Sequence, residues 1–377
     1  LSVSRSSLAL RVAVDARKLH DGGIGTYIRG LVGALATSCP RDEWIVLVDP
    51  AQQGAMRWPG RVREVAVRAG KYGLAEHFVV PAAARGVHAQ LLHAPHYTLP
   101  LGWNGPAVVT IHDLIHVRFA RFHKPGAGLY ARAVAGLAAR RATAVIADSE
   151  ATRHDIVELL GAPVEKVRVV PLGVSPLLKP ATAVDIALFR SDHRLPGDYV
   201  LYVGARKRHK NLELLVRAWG VMRPGDRPPL VLSGPAWRDD APLARLAHEL
   251  GVEESIQFSG DVHDEIALAC LYSGAALLVQ PSLAEGFGLP PLEAMACGVP
   301  VLSSDAGSLP EVLGDAAVYR PPADPAAWAA AVLELLADGE RRTALGARGR
   351  AHAAGYTWER TAELTRAIYA EAVAERR

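Results

Sequence analysis

The stretch Pro281-Ser282-Leu283-Ala284-Glu285-Gly286-Phe287-Gly288-Leu289-Pro290-Pro291-Leu292-Glu293-Ala294-Met295-Ala296-Cys297-Gly298 lies between two apolar runs, Ala276–Gln280 and Val299–Ser303. The runs read as strands. Between them a Gly-rich loop leads into a short helix that starts at the prolines and is stopped by Gly298 and Pro300. Such a strand–loop–helix–strand unit belongs to a parallel α/β layer. Its loop exposes backbone N–H groups at a helix N-terminus, where hydrogen bonds and the helix dipole would hold a diphosphate. Glu285 sits in the loop and Glu293 in the first turns of the helix. Carboxylates repel phosphate, so their task would be to accept hydrogen bonds from hydroxyls, a sugar ring on one side and a ribose on the other. The plain alternative is a helix start whose glutamates face water, and the residues alone leave the two readings open.

Working outward, the same rhythm of short apolar runs and amphipathic stretches fills the chain. In the first half the expected strands are Leu10–Asp15, Trp44–Val48, Arg63–Val67, Gln90–His93, Ala107–Ile111, Ala144–Ala147 and Val167–Val170. In the second half they are Tyr199–Val203, Leu230–Ser233, Ile256–Ser259, Ala276–Gln280, Val299–Ser303 and Ala317–Tyr319. Their near-continuous apolar character suits strands covered by helices on both faces. The Pro- and Gly-rich stretch from Pro171 to Pro180 reads as a linker, because the strand–helix rhythm restarts after it. At 377 residues the chain is long for one core. Two doubly wound domains are expected, with an active site in the cleft between them.

Composition narrows the class. Half of the residues are hydrophobic and 21% are charged, which suits a soluble globular protein. The net charge of +3 is spread rather than blocked, so nucleic acid is not an expected partner. Cys39, Cys270 and Cys297 have no metal-type spacing, and a reducing cytoplasm is the expected setting. The polar stretch Leu1–Ser7 lacks the apolar segment of a signal peptide. No run of about 18 apolar residues is long enough to span a membrane.

Two further turns carry chemistry. After strand Tyr199–Val203 comes Gly204-Ala205-Arg206-Lys207-Arg208-His209-Lys210-Asn211-Leu212. Such a concentration of cations is costly unless an anion or solvent neutralises it, and a departing diphosphate needs that compensation. A solvated basic turn is the alternative. In the first half, Gly22-Gly23-Ile24-Gly25 lies between a strand and a helix expected from about Thr26 to Leu35. It is a poor dinucleotide fingerprint, since Ile28 stands where the third glycine belongs. His112-Asp113-Leu114 follows strand Ala107–Ile111, placing a histidine where open sheets bind ligands. A structural histidine is an equal alternative there.

The spacing Glu285-x7-Glu293 inside EGFGLPPLEAMACGVPV resembles the signature of the family-4 retaining glycosyltransferases, and the likeness extends over nearly the whole chain. The resemblance implies an α/β fold of the GT-B type, two Rossmann-like doubly wound domains facing across a cleft. Residues 1–177 would bind the acceptor and 178–355 the nucleotide sugar. A helix within 356–377 would pack back on the first domain. By the same match Glu285 contacts the transferred sugar and Glu293 the ribose. Gly286, Phe287, Gly288 and Leu289 form the phosphate-facing loop, with backbone amides of Phe287 and Gly288 on the phosphates. The turn resembles the family's GxRxxHKNL, which makes Arg206 and Lys210 phosphate clamps and leaves Lys207 and Arg208 facing water. Gly23 and Gly25 match a loop over the donor phosphate, and His112 matches a contact to the donor sugar. Gly234, in Ser233-Gly234-Pro235, and Val262 match positions near the nucleobase. Asp148-Ser149-Glu150 with Thr152 resembles a structural or acceptor-facing loop.

No Asp-x-Asp stands at a strand end, so the expectation is a metal-independent, retaining transfer without a cofactor. The acceptor would be a glycan or lipid-linked hydroxyl. The donor would be GDP-mannose, as in bacterial mannosyltransferases of polysaccharide assembly, or alternatively a UDP-hexose. An epimerase of the same architecture and a non-catalytic binding protein are the rival classes. Between Leu114 and Arg141 the charged residues are Arg118, Arg121, Lys124, Arg132, Arg140 and Arg141, interleaved with apolar side chains. This basic stretch can lie on anionic lipid, as a peripheral contact at the inner membrane face, or face water as a solvated helix.

Overall fold

The computed structural model describes residues 9–122, 124–234 and 241–376. The N-terminal stretch Leu1–Ser7 and Pro235, both read above, lie outside them. All thirteen expected strands are present: β1 (Arg11–Asp15), β2 (Glu43–Val48), β3 (Val62–Ala66), β4 (Leu91–Ala94), β5 (Ala107–Ile111), β6 (Ala144–Ala147), β7 (Val167–Val169), β8 (Val200–Val203), β9 (Leu230–Ser233), β10 (Ile256–Gly260), β11 (Leu277–Gln280), β12 (Val301–Ser304) and β13 (Val318–Arg320). Every pairing between them is parallel. The first seven form one sheet in the order β3-β2-β1-β4-β5-β6-β7, and the others a second in the order β10-β9-β8-β11-β12-β13.

Central strands such as β5 and β11 are buried along their whole length, because helices cover both faces. In each sheet the chain winds outward from the first strand to one edge, then returns to continue on the other side. The order therefore reverses between β1 and β4 and between β8 and β11. At such a reversal the loops after adjacent strands diverge and leave room for a ligand.

Two compact units result, residues 1–173 with 357–377 and residues 174–356. The first crossing falls at Gly173–Val174, four residues before the expected end at 177, and the second at Tyr356–Thr357.

The terminal helix, Trp358–Ala374, belongs to the first unit. It packs on the helix Gly22–Ser38, where glycine is required: a β-carbon at Gly30 would stand 2.1 Å from the Trp358 indole. Farther along, the Tyr369 hydroxyl bonds His93 Nδ1 at 2.6 Å. His93 Nε2 meets Thr110 Oγ1 at 2.8 Å, and Thr110 meets the Tyr27 hydroxyl at 3.0 Å. Burial pushes His93 down to about 3, so its neutral ring is held between two hydroxyls. Arg366 adds an ion pair to Asp42, which also accepts from the Leu10 N–H.

One expected boundary is corrected. Gly23 and Gly25 do not lie in a loop before the helix, because the helix begins at Gly22. Glycine's poor helix propensity is overridden by packing. A β-carbon at Gly25 would stand 2.3 Å from the Leu19 carbonyl oxygen, so only glycine lets this first turn close on the preceding chain.

Candidate functional site

In the second unit, three adjacent strands end on glycines with positive φ: Gly204 after β8 (153°), Gly234 after β9 (137°) and Gly260 closing β10 (78°). A β-carbon at Gly234 would stand 2.2 Å from the Gly204 carbonyl oxygen. The Gly204 N–H donates to Ser233 and the Gly234 N–H to Gly260, at 3.0 and 3.1 Å. Side-chain-free backbone therefore closes this edge of the sheet, with half-buried Val262 just beyond it.

At the reversal between β8 and β11 the two motifs meet. The turn after β8 ends in a 3-10 turn, Arg208–Lys210, and in Asn211, which adopts φ 59°. The Asn211 side-chain amide donates to the Pro281 carbonyl at 3.0 Å and to the Pro322 carbonyl at 2.9 Å, fixing the turn against the loop after β11. The Leu283 N–H donates to the His209 carbonyl at 2.7 Å. Lys210 is thereby aimed at Glu285, and its Nζ lies 2.7 and 2.8 Å from the two carboxylate oxygens. Glu285 Oε1 also accepts from Gln280 Nε2 at 2.8 Å and from Ser282 Oγ at 2.6 Å. Burial opposes ionisation of Glu285, but the Lys210 charge and the hydrogen bonds outweigh it and hold the carboxyl below its usual range.

The loop is braced from β12 as well. Ser304 Oγ donates to the Ser282 carbonyl at 2.6 Å, and Ser308 Oγ approaches the Glu285 and Phe287 carbonyls at 3.0 Å each. Gly288 takes φ 101° and caps the helix Leu289–Ala296. Pro290 and Pro291 occupy its second and third positions, where a missing N–H costs nothing. The Gly288 and Leu289 N–H groups remain at the helix start, and Phe287 is buried against Tyr356, ring centroids 5.9 Å apart.

Glu293, in the second turn of that helix, accepts from the Tyr272 hydroxyl at 2.8 Å. Burial pushes its carboxyl up to about 7, against the pull of Tyr272. Arg206 is half-buried in the turn after β8, whereas Lys207 and Arg208 are exposed.

The first unit holds a second polar cluster. His112, at the carboxyl end of β5, has Nδ1 2.7 Å from Asp148 Oδ2 and Nε2 3.3 Å from the Pro95 carbonyl. Its ring meets Tyr27 edge-on, with centroids 4.8 Å apart. Burial alone would lower its pKa, but the Asp148 carboxylate outweighs burial and raises it. The ring is thereby held between the Asp148 carboxylate and the Pro95 carbonyl. Asp113 accepts from the Ile115 N–H at 3.0 Å and shapes the loop.

The candidate residues thus fall into two groups. Arg206, Lys210, Gly234, Val262, Glu285, Gly286, Phe287, Gly288, Leu289 and Glu293 belong to the second unit, while Gly23, Gly25 and His112 belong to the first. Within the second, Lys210 and Glu285 are in direct contact. Gln280, Ser282 and Tyr272 were missed, and Asp148, read as part of a structural or acceptor-facing loop, is the carboxylate partner of His112. A polar Gln280 closing an otherwise apolar strand, followed by Pro281-Ser282, was the available signal for the first two. Among the described residues no group of three or more His, Cys, Asp or Glu side chains is placed to hold a metal ion.

Residues 185–352 match the family model of glycosyl transferases group 1, and residues 21–176 that of glycosyltransferase family 4. The chain is 34% identical to the O-antigen chain mannosyltransferase B of Escherichia coli, over 74% of this chain and 73% of that protein. It is 33% identical to a D-inositol 3-phosphate glycosyltransferase of Kineococcus radiotolerans, over 100% of this chain and 95% of the relative. Among solved structures, sucrose-phosphate synthase from Thermosynechococcus elongatus matches in fold, with a TM-score of 0.81 at 24% identity, covering 97% of this chain and 100% of that one.

Proposed function

The chain belongs to the glycosyltransferases of group 1 and family 4, and from that premise we propose that it transfers mannose from GDP-mannose, with retention and without a metal, to a hydroxyl of a glycan or lipid-linked acceptor. What carries this reading is the Lys210–Glu285 pair at the reversal point of the second sheet, three residues before the Gly288 helix start. In the proposed reaction the bond from the anomeric carbon to the diphosphate breaks as negative charge grows on the leaving oxygen. Lys210, Arg206 and the backbone N–H groups of Phe287 and Gly288 at the helix start stabilise that charge in place of a cation. Two of the three Lys210 protons point at Glu285, which leaves one for a phosphate oxygen. Among the described residues Glu285 Oε2 accepts only from Lys210, so it keeps room for a sugar hydroxyl.

Glu293 is assigned to the ribose, Gly234 and Val262 to the nucleobase, and Gly23, Gly25 and His112 to the phosphate and sugar. The acceptor oxygen attacks on the face the phosphate leaves, and the departing phosphate takes its proton. Lys210, Gln280 and Ser282 hold Glu285 as a hydrogen-bond acceptor, which makes it a poor anomeric nucleophile. The mannosyltransferase relative favours mannose as the transferred sugar. A UDP-hexose is the alternative donor, because glycine-edged backbone near Val262 discriminates weakly between bases.

A thermal-shift series with GDP-mannose, UDP-glucose, UDP-galactose and UDP-N-acetylglucosamine tests the donor. At a concentration one hundred times its Kd, the true donor adds about 2.7 kcal/mol of stability, and GDP-mannose is expected to give the largest shift. A larger shift with any UDP-sugar transfers the assignment to that donor. Turnover measured in excess chelator is expected to persist. Loss in EDTA with rescue by Mg²⁺ or Mn²⁺ removes the metal-independent mechanism.

A further inference from the structure

Among the described residues thirteen large apolar side chains are exposed, and seven of these fall between Tyr72 and Leu137. Three lie on the helix Ala127–Arg141, whose inner face is built of small residues (Ala131, Ala135, Ala138 and Ala139). Leu129, Ala133 and Leu137 recur at one-turn intervals on its outer face, with Tyr130 beside them. Leu129 is 74% exposed and Tyr130 56%. Burying leucines inward and arginines outward is the ordinary pattern for a helix on a globular protein. Here both leucines and arginines point outward, and Arg121, Lys124 and Arg132 are exposed on the same basic stretch.

The apolar surface continues beyond this helix. Arg141, at its last turn, donates to the Leu101 and Trp103 carbonyls at 2.7 and 3.1 Å. The Leu101 and Gly102 N–H groups donate in turn to His77, on the helix Glu76–Gly86. That helix carries Phe78, 71% exposed, with Leu74 just before it at 84%. Farther along the chain, the Tyr97 ring centroid lies 6.3 Å from that of exposed Tyr72. Tyr72 and Tyr97 follow β3 and β4 at the same edge of the sheet as His112.

We infer that this face of the first unit, centred on Leu129, Tyr130 and Leu137 and rimmed by Arg121, Lys124 and Arg132, docks on an anionic lipid bilayer. Apolar side chains that no protein covers gain by entering the acyl boundary, and the rim cations gain from anionic headgroups. The absence of any acid between Leu114 and Arg141 removes the repulsion that would oppose it. None of the helices among the described residues is long and apolar enough to cross a membrane, so the contact is peripheral. Docking stands on this surface alone and does not depend on the identity of the donor.

Co-sedimentation with vesicles of phosphatidylcholine, and of phosphatidylcholine mixed with phosphatidylglycerol, tests it. The protein is expected to partition at least about tenfold more onto the anionic vesicles, and added salt should release it. Leu129→Ser with Tyr130→Ser and Leu137→Ser should weaken binding about tenfold or more. Arg121→Glu with Lys124→Glu and Arg132→Glu should weaken it at least about a hundredfold. All six side chains are exposed, so unfolding midpoints should hold. If a triple variant melts early, Leu129→Ala and Arg132→Ala alone take its place. Equal partition onto both vesicle types overturns the inference, as does unchanged binding by the serine variant. So does a dimer in light scattering that the serine variant dissolves while vesicles bind neither protein, since the face would then belong to a second copy of the chain.

Discussion

Replacing Lys210 by alanine is expected to lower kcat/KM by roughly two to three decades, or about 3–4 kcal/mol, the loss typical of one donor aimed at developing charge. The structure adds a second consequence. Lys210 holds the buried carboxylate of Glu285 through both oxygens, and removing one partner of a buried pair costs about 3–5 kcal/mol of stability. The pH dependence tells the two effects apart. In the intact protein the Glu285 carboxyl titrates below its unfolded value. The stability it contributes is therefore present above the ordinary carboxylate range and lost as pH falls through the lowered pKa. Without Lys210, burial is left as the dominant influence and the carboxyl moves up. Protonation then relieves the folded state, so the gap in Tm between wild type and Lys210→Ala should narrow on acidification. Adding Glu285→Gln to Lys210→Ala should recover much of the lost stability without restoring transfer, and transfer should fall little further, as for residues acting as a unit. A folded Lys210→Ala protein with near-wild-type transfer removes Lys210 from the mechanism.

The strands were readable because each is a short apolar run buried on both faces, and the glycines at their ends mark where the backbone must turn under tight contact. Gly204 and Gly234 stand at such ends because neither admits a side chain. What the sequence could not disclose is which distant side chains the strand order brings together. Lys210 and Glu285 are 75 positions apart, and His112 and Asp148 are 36 apart. Each pair exists because the strands that carry it, β8 with β11 and β5 with β6, are neighbours in a sheet. From the sequence, Lys210 read as an unpaired cation awaiting phosphate, whereas in the folded unit it is already held by a carboxylate. The start of the first helix was hidden for a different reason. Glycines at Gly22, Gly23 and Gly25 argue locally against helix, and only the contact with Leu19 shows why the helix needs one there.

The two carboxylates should separate cleanly under substitution by glutamine, although the structure alters what each change does. Glu285→Gln replaces an acceptor that takes protons from Lys210, Gln280 and Ser282. The amide can present its oxygen to only some of these donors, so the sugar-facing oxygen loses its orientation as well as its charge. Damage should fall on turnover and on discrimination among sugars, while affinity for the bare nucleoside diphosphate barely changes. Glu293→Gln should instead weaken nucleotide with and without sugar, by roughly 1–3 kcal/mol for a charged hydrogen bond lost. It should also stabilise the free protein near neutral pH. Burial holds the folded carboxyl at about 7, above its unfolded value. The stability it contributes is thus present at low pH and lost as pH rises from the ordinary carboxylate range through about 7. Ribose hydroxyls donate to the ionised form, so affinity for nucleotide should rise with pH and level off above about 7. At one unit below the pKa only about a tenth of the carboxyls are ionised, which sets an expected weakening of roughly tenfold. The phosphate of the ligand titrates in the same region, so the comparison is with Glu293→Gln, in which the protein's share of the pH dependence should vanish. Calorimetric titration of donor and of nucleoside diphosphate into both variants, at several pH values and beside transfer kinetics, measures all of this. A Glu285→Gln protein that loses the bare nucleotide, beside a Glu293→Gln protein that keeps it, reverses the two assignments. If neither change affects binding or transfer, both glutamates are structural features of a helix start, and the donor site lies elsewhere.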